Sequence, residues 1–172
     1  MTQWYTQEAI DFIDKHIYEN EKNNTSKPFF LYWTPDSLHA TTFRSKNYVN
    51  KSLKFSSYGD ALMEIDEGIG KILNKIKSTP SISTNTFVFF TSDNGAALVS
   101  KGDAGSSGPF LCGKQTTFEG GIREPGIAWW NTKIKPGITQ QSATIMDLFA
   151  TIANLTGNYN YEIIIIIIIL FL

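Results

Sequence analysis

Asp93 and Asn94 stand side by side at the end of an apolar run, Phe87-Val-Phe-Phe-Thr-Ser, and Gly95 follows them. A carboxylate next to a carboxamide offers hard oxygen donors, the kind that Ca²⁺ or Mg²⁺ takes. The same residues also read as an Asn-Gly turn, with Asp93 capping the next segment. Lys114 follows Gly113 beyond a glycine-rich stretch. On a returning loop it can present an ammonium group to an anionic ligand, or it can be a solvated surface lysine. His39 lies in Thr34-Pro-Asp-Ser-Leu-His39. It can protonate a leaving group or bind an anion, or be a loop histidine with no role. Glu119-Gly-Gly allows close backbone approach, and Arg123 beside Glu124-Pro125 is expected to form a buried ion pair that holds the loop.

The elements around these residues must bring them to one edge of a sheet. Phe87–Phe90 reads as a strand buried on both faces, as in a parallel sheet between helices. In such sheets ligands bind beyond the carboxyl ends of the strands. Pro28-Phe-Phe-Leu-Tyr-Trp33 is a second strand, ended by Thr34-Pro35-Asp36. Between the two strands, Tyr58 to about Lys77 carries an apolar stripe at helical spacing, acidic residues early and lysines late. Strand, helix and strand make a βαβ unit, so the two strands are expected to be parallel. His39 then falls at the same edge as Asp93. Helical spacing also marks Gln7 to about Tyr18, and Ile145–Leu155 entered through Ser142 or Thr144. Gly126–Trp130 is a short strand candidate. Residues 36–57 read as a long surface excursion, often functional in kind.

The 172 residues fit roughly one domain. A net charge of −1 provides no basic surplus for phosphates, which excludes a nucleic-acid partner. Cys112 is the single cysteine. It is a buried hydrophobe, a free thiol, or half of a bridge to another chain. The amino-terminal residues do not read as a signal peptide. Yet Asn23, Asn24, Asn50 and Asn154 head Asn-x-Ser/Thr sequons, which point to a secreted or lysosomal setting. Truncation at the amino end reconciles the two. The tail, Glu162 followed by seven isoleucines and Leu170-Phe-Leu, has a ten-residue apolar run. A membrane span needs about 20 residues. The run reads as low complexity from a truncated or misread gene, or as a short core strand.

Three segments together resemble the type I sulfatases: Phe29-Phe-Leu-Tyr-Trp with His39, Asn85-Thr-Phe-Val-Phe-Phe-Thr-Ser-Asp-Asn-Gly, and Gly108-Pro-Phe-Leu-Cys-Gly-Lys-Gln-Thr-Thr-Phe-Glu-Gly-Gly. The resemblance covers residues 5–157 and leaves the isoleucine tail outside. It implies an alkaline-phosphatase-like α/β fold, a mixed and largely parallel sheet between helices, here incomplete. Residues 1–157 are then a partial catalytic domain and 158–172 a separate tail. It implies that Asp93 and Asn94 hold a divalent cation, usually Ca²⁺ (or Mg²⁺), and that His39 and Lys114 contact the substrate sulfate. The chemistry agrees: the transition state of sulfate ester cleavage gathers charge on the bridging oxygen, and cationic groups stabilise it.

The departures from the family pattern are as informative. The family's Asp-Asp pair, its Lys-x-His segment and its Cys-x-Pro/Ala-x-Arg motif are missing from this sequence, and Ala-Thr-Thr follows His39 where the family has proline. The cysteine of that motif becomes formylglycine, the family's nucleophile, and Cys112 lies in a different context. The expectation is a fragment beginning midway through the catalytic domain and inactive alone. The implied parent is lysosomal or secreted and hydrolyses 6-sulfate esters of N-acetylgalactosamine or galactose in glycosaminoglycans. The alternative is a non-catalytic product that binds sulfated glycans through His39 and Lys114. A phosphatase or phosphodiesterase of the same superfamily would carry Asp-His or His-x-x-x-His patterns, which this sequence does not contain. No oligomeric state follows from the sequence.

Overall fold

The computed structural model describes residues 1–100, 104–157 and 163–170. In chain order the elements are α1 (Thr2–Asn23), β1 (Phe30–Trp33), α2 (Ser57–Ser78), α3 (Pro80–Ser83), β2 (Thr86–Ser92), α4 (Glu119–Ile122), β3 (Gly126–Trp130), α5 (Asp147–Gly157) and β4 (Ile164–Leu170). The strands form one sheet in the order β1-β4-β2-β3. β4 pairs parallel with both β1 and β2, while β3 pairs antiparallel with β2. The sheet is therefore mixed and largely parallel, as expected. β1 and β2 do run the same way, but they are not hydrogen-bonded neighbours, because β4 lies between them.

β4 is the isoleucine run, so of the two readings of that segment the structure shows the core strand. Phe30 to Trp33 face Ile165 to Ile168, and Thr86 to Ser92 face Ile164 to Leu170. Ile164, Ile166 and Ile168 pack with Ala9, Ile13, Ile72, Ile76 and Val88, so that face lies under α1 and α2. Ile163, Ile165 and Ile167 pack with Phe87 and with Ile152 and Leu155 of α5 on the other face. Both faces of the strand are covered, which explains why its sequence shows no alternation. Covering the slot with apolar side chains on both sides requires apolar residues at every position.

α2 shows what a strong periodic signal fixes. Ser56 caps it, accepting a 3.0 Å hydrogen bond from the Gly59 amide. Ala61, Ile65, Ile72 and Ile76 are buried, and Lys75 and Lys77 occupy the last turn. α1 crosses it closely. A β-carbon on Gly68 would come 2.6 Å from Thr6 Oγ1, and Lys75 pairs with Asp14. α1 is longer than the expected Gln7–Tyr18. It runs until Asn24 turns left-handed (φ 48°), and the Thr25 amide bonds back to the Asn20 carbonyl at 2.9 Å.

The excursion 36–57 is less of a surface loop than its composition implies. Leu38 is buried against Ala61 and Ile65. Asp60, fully buried, accepts hydrogen bonds from the Asn50 and Ser52 amides at 2.8 Å and lies 3.5 Å from Arg44 Nε. The Ser52 and Asn50 amides hold its carboxyl below the usual carboxylate range. Glu64, one turn on, accepts from the Ser45 amide at 2.8 Å. Two carboxylates of α2 thus take up loop amides that would otherwise be unpaired.

Candidate active site

β2 ends at the edge toward which all the parallel strands point. Thr91 and Ser92 are buried, Asp93 is exposed and Asn94 is half-buried. Ser92 Oγ donates to the Asn94 carbonyl at 3.0 Å, and Asn94 Nδ2 donates to the Gly95 carbonyl at 3.1 Å. These bonds fix a tight turn that sets the two side chains at the strand end.

The segment 108–124 is zipped onto this turn by backbone groups. The Gly95 amide donates to the Gly121 carbonyl at 3.0 Å, and the Lys114 amide donates to the Ala96 carbonyl at 2.9 Å. Gly120 closes the loop on itself through its amide, 2.9 Å from the Leu111 carbonyl. Contacts this close leave no room for side chains. A β-carbon on Gly95 would lie 1.8 Å from the Gly120 oxygen, and one on Gly120 would lie 2.0 Å from the Cys112 oxygen. Cys112 (φ 60°) and Gln115 (φ 71°) take left-handed backbone on either side of Gly113. Such conformations cost energy at non-glycine residues, and they persist where surrounding bonds over-determine them. The backbone of Lys114, a half-buried residue, is thereby held at Ala96, two residues beyond Asn94 in the sequence. Cys112 is a half-buried free thiol.

His39 sits on a turn beyond β1, with its amide bonded to the Asp36 carbonyl at 3.1 Å. Its side chain is exposed, and Nδ1 donates to its own Ala40 carbonyl at 2.7 Å. That bond requires the hydrogen on Nδ1, so Nε2 is the nitrogen left for a ligand. The structure thus brings Asp93, Asn94 and the Lys114 loop together, and sets His39 at the same edge but across β4.

Glu124 is the residue whose position the sequence did not reveal. Arg123 does not pair with it. Arg123 reaches back one turn to Glu119 at 2.8 Å, on the surface, with its guanidinium 4.8 Å over the Phe110 ring. Glu124 instead lies near Asp93, and its Oε1 is buried with no hydrogen-bond partner. Burial, and then the Asp93 charge, push its carboxyl up to about 7 from the usual 4.5. Tyr58, at the start of α2, is raised by burial and by the same carboxylate. Between pH 4.5 and 7 the folded chain therefore holds a proton that the unfolded chain has lost. Stability is greatest below that window and falls as pH rises through it. Glu124→Gln should flatten this decline, raising stability at pH 8 by about 1 kcal/mol after solvent screening. Urea unfolding at pH 5 and pH 8 in the presence of a chelator measures it. An unchanged pH slope would show that Glu124 ionises normally.

Asp93 and Asn94 suit a hard divalent cation in donor type. In number they fall short, since Ca²⁺ takes six to eight oxygens. Among the described residues no group of three His, Cys, Asp or Glu side chains stands ready to hold a metal ion. Among the same residues, no helix is long and apolar enough to cross a membrane.

Residues 2–158 match the family model described as Sulfatase. The chain is 53% identical over 159 residues to N-acetylgalactosamine-6-sulfatase of Mus musculus, which takes in 91% of this chain and 29% of that protein. It is 38% identical over 142 residues to arylsulfatase A of Homo sapiens, covering 83% and 28% of the two chains. Among solved structures, PsFucS1 sulfatase from Pseudoalteromonas sp. superposes with a TM-score of 0.84 at 30% identity, over 91% of this chain and 30% of that one. Ps i-CgsB, solved in complex with k-i-k-neocarrahexaose, gives 0.80 at 27% identity, over 94% and 35%. The chain thus spans between 28% and 35% of the length of these relatives. With the match running almost unbroken from α1 to α5 and the fold agreeing with it, the chain belongs to the sulfatase family.

Proposed function

We propose that this chain is the part of a sulfuric ester hydrolase that holds one side of the metal and sulfate site. The observation that carries the reading is the zipped loop: two backbone hydrogen bonds fix Lys114 beside the Asp93–Asn94 turn. Sulfatases are generally metal-dependent, and Asp93 with Asn94 would hold the ion, Ca²⁺ or Mg²⁺. Bound there, the cation supplies positive charge to the sulfate oxygens. Lys114 adds an ammonium group whose backbone is held in place, so binding the anionic ester need order only the side chain. His39, with Nδ1 committed to Ala40, offers Nε2 to hold a proton for the leaving oxygen. The formylglycine nucleophile belongs to a sequence motif that this chain does not contain. We therefore expect binding without turnover from this chain.

The substrate class we propose is 6-sulfate esters of N-acetylgalactosamine or galactose in glycosaminoglycans, a reading supported by the similarity to N-acetylgalactosamine-6-sulfatase. A lysosomal or secreted setting accords with four sequon asparagines that are all exposed. The experiment is a calorimetric titration of the chain with a 6-sulfated galactosamine disaccharide and its desulfated counterpart. Binding should require the sulfate, and Lys114→Ala should weaken it about tenfold, the worth of one charge-assisted hydrogen bond. An aryl sulfate should show no turnover. Equal binding of the desulfated sugar would overturn the reading, as would turnover by the chain above that of the Asp93→Ala and Lys114→Ala controls.

A further inference from the structure

We infer that the cavity between α1, the turn Lys46–Tyr48 and α2 binds a small zwitterion of the amino-acid type. The cavity measures about 810 Å³, and none of Asp93, Asn94, Lys114 and His39 lines it. Its floor lies where the two helices touch, at Thr6 and Gly68. Trp4 of α1 stands on one side and Met63 of α2 on another, 60% and 44% exposed.

Among the described residues, four charged side chains line the cavity: Lys51, Glu64, Glu67 and Lys71. Two of them satisfy each other. Glu67 holds Lys71 at 2.7 Å through one oxygen and accepts from the Tyr48 hydroxyl through the other. The remaining two are an acid and a base that do not meet. Glu64 is 3% exposed. Its Oε2 accepts from the Ser45 amide at 2.8 Å, and its Oε1 is buried with no hydrogen-bond partner. The carboxylate is felt from within the cavity: burial, then Glu67, then Glu64 push the Tyr48 phenol up to about 12. Lys51 is exposed, and among the described residues it forms no ion pair.

This arrangement selects a ligand by charge. A buried carboxylate oxygen without a donor is costly, and an ammonium N–H relieves it best. A ligand carrying only a cation would also meet Lys51, and one carrying only an anion would meet Glu64. A ligand with both charges on one small skeleton sets its ammonium against Glu64 and its carboxylate against Lys51. The Trp4 ring and Met63 then offer apolar surface to a short side chain, and the ring face attracts the ammonium as well.

The test is ¹⁹F NMR of the chain labelled with 5-fluorotryptophan, with the Trp4 signal assigned through Trp4→Phe. L-norleucine is compared with hexanoate, which lacks its ammonium, and with n-pentylammonium, which lacks its carboxylate. Norleucine should shift the Trp4 signal saturably. Each analogue should bind at least about tenfold more weakly, the worth of one charge-assisted hydrogen bond. Glu64→Gln keeps an oxygen for the Ser45 amide but sets an N–H where Oε1 stands, and should weaken norleucine by the same factor. Lys51→Gln alters an exposed side chain only. It should weaken norleucine likewise and should not weaken pentylammonium. The absence of a saturable Trp4 shift with norleucine overturns the inference. Hexanoate binding as tightly as norleucine overturns it too, as does norleucine binding left unchanged by Lys51→Gln.

Discussion

Gly95→Ala should detach the Lys114 loop from β2 and lower stability by about 4 kcal/mol or more. The new methyl group would sit 1.8 Å from the Gly120 carbonyl oxygen and 2.8 Å from its carbon. These are backbone atoms, so no side-chain rotation relieves the overlap. The loop must lift. In lifting, it loses the Gly95–Gly121 hydrogen bond and the Lys114–Ala96 bond beside it. Sulfate binding should therefore fall with stability, and further than Lys114→Ala lowers it. Gly70→Ala is the matched control, because nothing lies within 4 Å of its β-carbon position. In the middle of α2 it should stabilise by about 0.5–1 kcal/mol. Urea unfolding of the two variants decides the point. Equal stabilities would mean that the loop is not zipped to the turn.

The second large effect is expected at Ile166. This side chain is fully buried, and its backbone pairs with Leu31 on one side and Val88 on the other. Ile166→Val should cost about 1 kcal/mol. Ile166→Asp should leave no folded chain at neutral pH, because the carboxylate would be buried in the middle of the sheet with no partner. Near-ultraviolet circular dichroism and gel filtration report the outcome. A folded Ile166→Asp chain would show that β4 lies elsewhere in solution.

The sequence made some of this legible. α2, β2 and β3 are legible close to their observed bounds, because each carries a period or a compact β-forming block. Asp93, Asn94 and Lys114 were singled out as well. Their juxtaposition was less visible, because it is made by glycine backbone, and a glycine in a sequence does not say what lies against it. Asp60 and Glu64 read as carboxylates favouring the start of a helix. They are also the acceptors that hold a loop, and which amides they meet depends on tertiary structure. Adjacency points Arg123 to Glu124, but α4 brings Glu119 one turn below it, at the spacing where helical side chains meet. Glu124 was left facing Asp93. The isoleucine run had no period to read, since a strand covered on both faces shows none.

The order of the strands also bears on how the chain folds. β4 comes last among the described strands in the chain but second in the sheet, so Phe30 must wait for Ile165. Until then β1 and β2 have no strand between them, and α1 and α2 have only part of the surface they cover. Pairing over so long a stretch of chain is slow, and the waiting state exposes unpaired strand edges. Synthesis on the ribosome would prolong that state by the time needed to make everything from β2 to β4. The slot is then a point of exposure to chaperones and to other chains, and the speed with which the isoleucines reach it limits how much of the protein is lost to aggregation.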